Sequence, residues 1–252
     1  MRIVTAYILP PLGLQNRVTE YFERFTYLVR TGLPITAFID RALEVEAKLL
    51  FPSVDWVPCA FTDLPLASTL LLPPTLPENR NKDKDTAGYL VVQNSKTFFL
   101  NWVAERYGAQ RLAWVDFGVA HVLNTPNETL ERLHFVDLLP PGIHIPGCYE
   151  VRPTRHIHSV DWRFCGGLVV VDRKRIRAFH AACGQLITAV LPFFTWEVNV
   201  WAAVDLQYPD LITWHKGDHN DTLFDFLAPP EREGGDRVRS PRRQASLVSP
   251  LS

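Results

Sequence analysis

Apolar residues recur along this chain in two rhythms. Near the start, "RIVTAYIL" is a short run of β-branched, aromatic and aliphatic residues that stops at Pro10 and Pro11. Such a run reads as a strand, apolar on both faces. The next segment, "NRVTEYFERFTYLVRTG", places Val18, Tyr21, Phe22, Phe25, Leu28 and Val29 at helical spacing, and Gly32 marks its end. "PITAFID" is a second strand closing on Asp40, "RALEVEAKLL" a short helix and "VDWVPCAF" a third strand. Strand, helix, strand, helix, strand predicts a parallel sheet flanked by helices.

Residues 62–87 are proline-rich and then charged, which predicts a long loop or lid. "GYLVVQNSKTFFLNWVAERYG" predicts one helix with Leu90, Phe98, Trp102 and Val103 inward, and "QRLAWVDFG" the next strand. Mixed loops follow, around a helix at "PNETLERLH" with Asn127 as its cap. "FCGGLVVVD" reads as a strand, "RKRIRAFHAACGQLITAVL" and "TWEVNVWAAV" as helices, and "DLITWH" as the last strand. From Pro229 the chain is charged, rich in Gly and Pro and poor in apolar groups, so it is expected to be disordered. The expectation is one α/β domain over residues 1–228 and a tail over 229–252.

The net charge of −1 lacks the basic excess of a nucleic-acid binder, and it leaves a nucleotide or a sugar open as ligand. Cys59, Cys148, Cys165 and Cys183 are widely spaced with no CxxC pair, so neither a zinc ribbon nor a disulfide scaffold is expected. Reduced thiols fit a cytoplasmic protein. The first apolar run is cut by prolines and lacks the features of a signal peptide, and no segment approaches the ~18 apolar residues of a membrane span. A soluble, cytoplasmic chain is expected.

Ligands of parallel α/β sheets bind beyond the carboxyl ends of the strands. Thr5, Tyr7, Asp40, Asp116 and the run "WHKGDHND" fall at such ends. In that run His215, Asp218, His219 and Asp221 suit a divalent cation and Lys216 a phosphate, unless the run is only a polar loop. Gly166 and Gly167 let backbone approach a ligand closely, or else form a tight bulge. Glu197 is a candidate general base or acceptor for sugar hydroxyls, and equally a carboxylate placed well at a helix start. His156 and His158 would share one side of a strand and form a weaker metal candidate. The chain has no GxGxxG, GxxxxGK[ST], GxSxG or HExxH, which argues against the common dinucleotide oxidoreductases, P-loop ATPases, elbow-type serine hydrolases and zinc peptidases.

In order, "WVDFG", "WRFCGGLVVVDRKRI", "WEVNVWA" and "WHKGDHNDTLF" resemble the HtrL/YibB-like protein family, and "TAYILP", "RVTEYFERF" and "QNSKTFFLNWVAE" fit its N-terminal half. That family is similar to GT-A glycosyltransferases. The resemblance implies a GT-A-like, mostly parallel sheet flanked by helices. It also implies transfer of a sugar from a nucleotide-sugar donor to a glycan or lipid-linked acceptor, assisted by Mn²⁺ or Mg²⁺. By the same likeness Asp116 and His219 contact metal or diphosphate, Gly166 and Gly167 line the donor sugar, and Glu197 is the base or acceptor contact. Thr5, Tyr7 and Lys96 fall to the nucleotide. The acidic DxD of GT-A enzymes is reduced here to Asp116-Phe117-Gly118. Two alternatives follow from that departure and from "GDHND": a non-catalytic member that binds sugar or protein, and a metal-dependent hydrolase or nucleotidyltransferase.

Overall fold

The computed structural model describes residues 1–11, 17–71, 73–150 and 159–227. The expected tail, and the His156 and His158 pair, lie outside the described residues. Seven strands form one sheet: β1 (Arg2–Tyr7), β2 (Ile35–Asp40), β3 (Asp55–Cys59), β4 (Arg111–Val115), β5 (Ile143–Gly147), β6 (Leu168–Asp172) and β7 (Thr213–Lys216). Their order across the sheet is β3-β2-β1-β4-β6-β5-β7. β1 pairs parallel with β2 and β4, β2 with β3, and β5 with β7, while β6 runs antiparallel between β4 and β5. This is the mostly parallel, helix-flanked sheet expected of a GT-A-like chain.

Alternation along the strands sends successive side chains to opposite faces. Val4, Leu112, Trp114, Val169 and Val171 pack in one core with α3 (Ala87–Asn94), α4 (Lys96–Arg106), α6 (Arg173–Val190) and α7 (Glu197–Gln207). Ile3, Ala37, Ala113, Val115 and Val170 pack in the other, against α1 (Val18–Arg30) and α2 (Glu44–Leu50). Each fully buried aliphatic side chain contributes about 1.5–3 kcal/mol of transfer free energy. Gly32 ends α1 with φ +68°, a conformation other residues avoid.

Three expectations are corrected. The segment read as one helix is two, α3 and α4, broken at Ser95, whose hydroxyl bonds back to Val91 O at 2.8 Å. Phe99 and Leu100 are buried there, whereas Phe98 and Trp102 are only partly so. α5 (Pro126–Glu131) starts after Thr125, so Asn127 lies inside the helix and caps nothing. β5 was not foreseen, since "IHIPG" is short and carries proline and glycine. Its Pro146 is tolerated because it sits near the strand end, where the pairing with β6 has already stopped and only β7 lies alongside.

Candidate functional site

Six strands run one way, so their carboxyl ends share one edge of the sheet, and the antiparallel β6 begins there. The loops after β1, β4, β5 and β7 and the loop entering β6 meet at this edge. A two-part cleft opens among them. One half, of about 170 Å³, is aromatic and lined by Tyr7, Tyr21, Tyr89, Trp114 and Phe117. The other, of about 380 Å³, is lined by Asn79, Asp85, Trp162, Gly166, Gly167, Glu197 and His219. Lys84, Tyr89, Gln93, Asp116 and His121 line both halves, so Asp116 stands at the junction.

Lys96 forms the floor. It is the first residue of α4, and the turn at Ser95 aims its side chain inward, leaving it 2% exposed. Its Nζ donates to Glu197 Oε1 at 2.8 Å and to Gly166 O at 2.9 Å, and lies 3.0 Å from Asp116 Oδ1. Three partners satisfy the three N–H groups of the ammonium. Burial alone pushes its pKa down, but Asp116 and Glu197 outweigh burial and hold it above the ordinary lysine value. The cluster carries two carboxylates on one cation. A buried ion set of this kind is a weak source of stability, and in a cleft it marks a candidate functional site.

Asp116 follows β4 directly, and its backbone N–H donates to Gly167 O at 3.0 Å. Trp114 Nε1 donates to its Oδ1 at 2.7 Å, and the side chain remains 37% exposed. The neighbouring Phe117 stacks on Phe25 at 4.2 Å and on Tyr7 at 5.2 Å, which seats the turn in the core and leaves the carboxylate facing the cleft. Glu197 opens α7, where the helix N-terminus favours a carboxylate. Gly166 has a packing reason to be glycine. A Cβ there would lie 2.2 Å from Glu197 Oε1 and 3.0 Å from Lys96 Nζ.

Tyr7 lines the aromatic half and stacks on Tyr21 at 4.8 Å. Its hydroxyl is buried with no hydrogen-bond partner among the described residues, and burial, then Tyr21 and Glu20, push its pKa up to about 12. The Tyr89 phenol is raised by burial and then by Glu197 and Asp116. Two expected residues are elsewhere. Thr5 is wholly buried within β1, and Lys216 is exposed at the end of β7; neither lines either half of the cleft.

His219 lines the polar half with Trp162, whose ring meets it edge-on at 4.4 Å. Its Nδ1 lies 3.3 Å from Asp218 Oδ1 and 3.8 Å from Cys165 Sγ. Asp116 and His219 therefore share the cleft without sharing partners. Mn²⁺ and Mg²⁺ prefer several oxygen ligands. Among the described residues Asp116 belongs to no trio of His, Cys, Asp or Glu ligand atoms within 4.8 Å of one another, and the Lys96 ammonium already sits on its Oδ1. As they stand these side chains do not fit a Mn²⁺ or Mg²⁺ site.

Lys84, Tyr89, Gln93 and Trp162 were not singled out from sequence. Lys84 and Asp85 belong to the long loop or lid expected over residues 62–87, which three-residue and five-residue 3-10 turns at Phe61–Asp63 and Ala67–Leu71 begin. Among the described residues no helix is long and apolar enough to cross a membrane.

No protein-family model matches the chain, and no curated protein matches it in sequence. Solved structures give distant likenesses. The glycosyltransferase GlyE of Streptococcus pneumoniae TIGR4 is 9% identical, over 85% of this chain and 44% of that one, with a TM-score of 0.42. The chain thus spans less than half of that enzyme. The 4-diphosphocytidyl-2C-methyl-D-erythritol synthase of Anaerococcus prevotii DSM 20548 is 10% identical, over 87% and 90% of the two chains, with a TM-score of 0.45. The mannose-1-phosphate geranyltransferase of Thermus thermophilus is 15% identical, over 85% and 73%, with a TM-score of 0.36. None of these likenesses is close enough to carry an activity across to this chain.

Proposed function

We propose that the cleft binds a nucleotide sugar and that the chain, as a distant HtrL/YibB-like member of the GT-A class, transfers the sugar to a hydroxyl of a glycan or lipid-linked acceptor. The observation that carries this reading is the two-part cleft with Asp116 at its junction. Tyr21 and Tyr89, both only partly buried, offer aromatic side chains to a base. The polar half offers carboxylate and amide groups to sugar hydroxyls. The diphosphate lies between them, on the side of the exposed Lys84 and His121, which line both halves.

In this reading Asp116 accepts hydrogen bonds from donor hydroxyls. Glu197 takes the proton of the acceptor hydroxyl as that oxygen attacks the anomeric carbon and the bond to the diphosphate oxygen breaks. Lys96 holds both carboxylates in place. No step passes through a bound metal.

Thermal melting of the full chain with a panel of nucleoside diphosphates and their sugar esters tests this directly. A ligand at a hundred times its dissociation constant raises stability by about 2.7 kcal/mol, a clear shift in Tm. No shift with any member of the panel ends the proposal. A second reading, saturable binding without turnover, is favoured by the pairing of Glu197 with Lys96 at 2.8 Å. It is distinguished by a melting shift without release of nucleoside diphosphate when acceptor glycans are supplied.

A further inference from the structure

Cys148, Cys165 and His219 are far apart in sequence and meet at the rim of the cleft. Cys148 follows β5, Cys165 lies in the loop entering β6, and His219 lies in the loop after β7. Backbone bonds bring these segments together: Cys165 N–H to Pro146 O at 2.7 Å, Cys148 N–H to Trp162 O at 3.0 Å, and Gly217 N–H to Gly147 O at 3.0 Å. The two Sγ atoms are 3.9 Å apart, and Cys165 Sγ is 3.8 Å from His219 Nδ1. All three ligand atoms lie within 4.8 Å of one another.

Those spacings are the edges of a metal tetrahedron. With Zn–S near 2.3 Å and Zn–N near 2.0–2.1 Å, tetrahedral geometry puts sulfur atoms about 3.8 Å apart and sulfur about 3.6 Å from nitrogen. Asp218 stands beside the trio, its Oδ1 at 3.4 Å from Cys148 Sγ and 3.3 Å from His219 Nδ1. A bonded disulfide needs sulfurs at about 2.05 Å, so both thiols are free here. We propose that Cys148, Cys165 and His219 bind one Zn²⁺ ion, with water at the fourth position and Asp218 as a supporting carboxylate beside it. Binding releases the two thiol protons and places the imidazole proton on Nε2. Sulfur and imidazole ligands select zinc over Mn²⁺ or Mg²⁺, so this is not the hard-cation site expected at Asp116.

The ion ties the loop after β7 to the loop entering β6, and with them His219 and Trp162 at the cleft wall. Zinc uptake weakens as pH falls, because thiol and imidazole protons must be displaced before the ligands bind.

The test is metal analysis of the full chain purified in reductant without chelator, followed by replacement of the metal with Co²⁺. One equivalent of zinc is expected, and the Co²⁺ form shows a thiolate-to-cobalt charge-transfer band. Cys148→Ser and His219→Ala each remove the band, and Asp218→Asn weakens Co²⁺ affinity about 10–100-fold. His219 is half-exposed, so His219→Ala remains informative if the buried Cys165→Ser chain fails to fold. Folded, reduced wild-type chain with no zinc and no cobalt band overturns the proposal. So does a band that survives in Cys148→Ser, or a Cys148–Cys165 disulfide in the chain as isolated. The outcome is independent of whether any nucleotide binds.

Discussion

Lys96 and Arg163 are both buried cations held by carboxylates, in very different surroundings. Arg163 Nε and Nη2 reach Asp205 Oδ2 at 2.8 and 2.7 Å, its Nη1 donates to Glu150 O, and both side chains of the pair are at most 4% exposed. This cation sits on a buried carboxylate, closed from water, and the pair fastens the loop before β6 to α7. Lys96 meets two carboxylates, and one of them, Asp116, is 37% exposed in the cleft. Its charge is unbalanced and open on one side. The first arrangement holds two elements together. The second keeps negative charge at the junction of a cavity, and it is the one that a ligand can read.

The largest effects separate these two roles. Lys96→Met and Arg163→Met each remove a buried cation from a carboxylate, and each is expected to lower unfolding free energy by about 3–5 kcal/mol in urea titrations. Only Lys96→Met also abolishes nucleotide-sugar binding; Arg163→Met, measured below its own Tm, keeps the affinity within about twofold. Loss of binding in both would merge the two regions into one.

The paired glycines sharpen the picture at smaller scale. Gly166→Ala drives a methyl group into Glu197 and Lys96, and about 1–3 kcal/mol of stability is expected to go with it. At Gly167 the nearest atom is Leu223 Cδ2 at 3.1 Å, the mobile end of a side chain, so Gly167→Ala is expected to cost less than about 1 kcal/mol. Equal losses at the two positions would contradict a rigid ion cluster over Gly166.

pH gives the smallest and most specific signal. The folded-state pKa of Lys96 is raised. Its stabilisation is therefore complete below the ordinary lysine value and is lost as pH rises through the higher folded value. The gap in stability between wild type and Lys96→Met should be constant from neutral pH to about pH 10 and narrow above it. A gap that does not narrow at all above pH 10 would refute the cluster.

Much of the site was legible because strand ends are legible. Asp116 stands where an apolar run stops, and Gly166, Gly167 and Glu197 stand at the start of a strand and a helix on the same sheet edge. Lys96 was legible only as a name: helical periodicity hides the break at Ser95 that turns its side chain inward. Thr5 and Lys216 show the limit of strand-end reasoning, since position on a strand does not say whether a side chain reaches the cleft. The Cys148, Cys165 and His219 trio was invisible because local spacing says nothing of loops joined across three strands, and one of those strands, β5, was too short and too rich in proline and glycine to be read.

The most direct measurement is calorimetric titration of wild type, Asp116→Asn and Arg163→Met with the nucleotide sugar that shifts the wild-type melt. Lys96 keeps Glu197 and Gly166 O when Asp116 is neutralised, so Asp116→Asn should melt within about 1 kcal/mol of wild type. The account predicts that Asp116→Asn folds and does not bind, whereas Arg163→Met is weakened and binds. An Asp116→Asn chain that binds as tightly as wild type would contradict it.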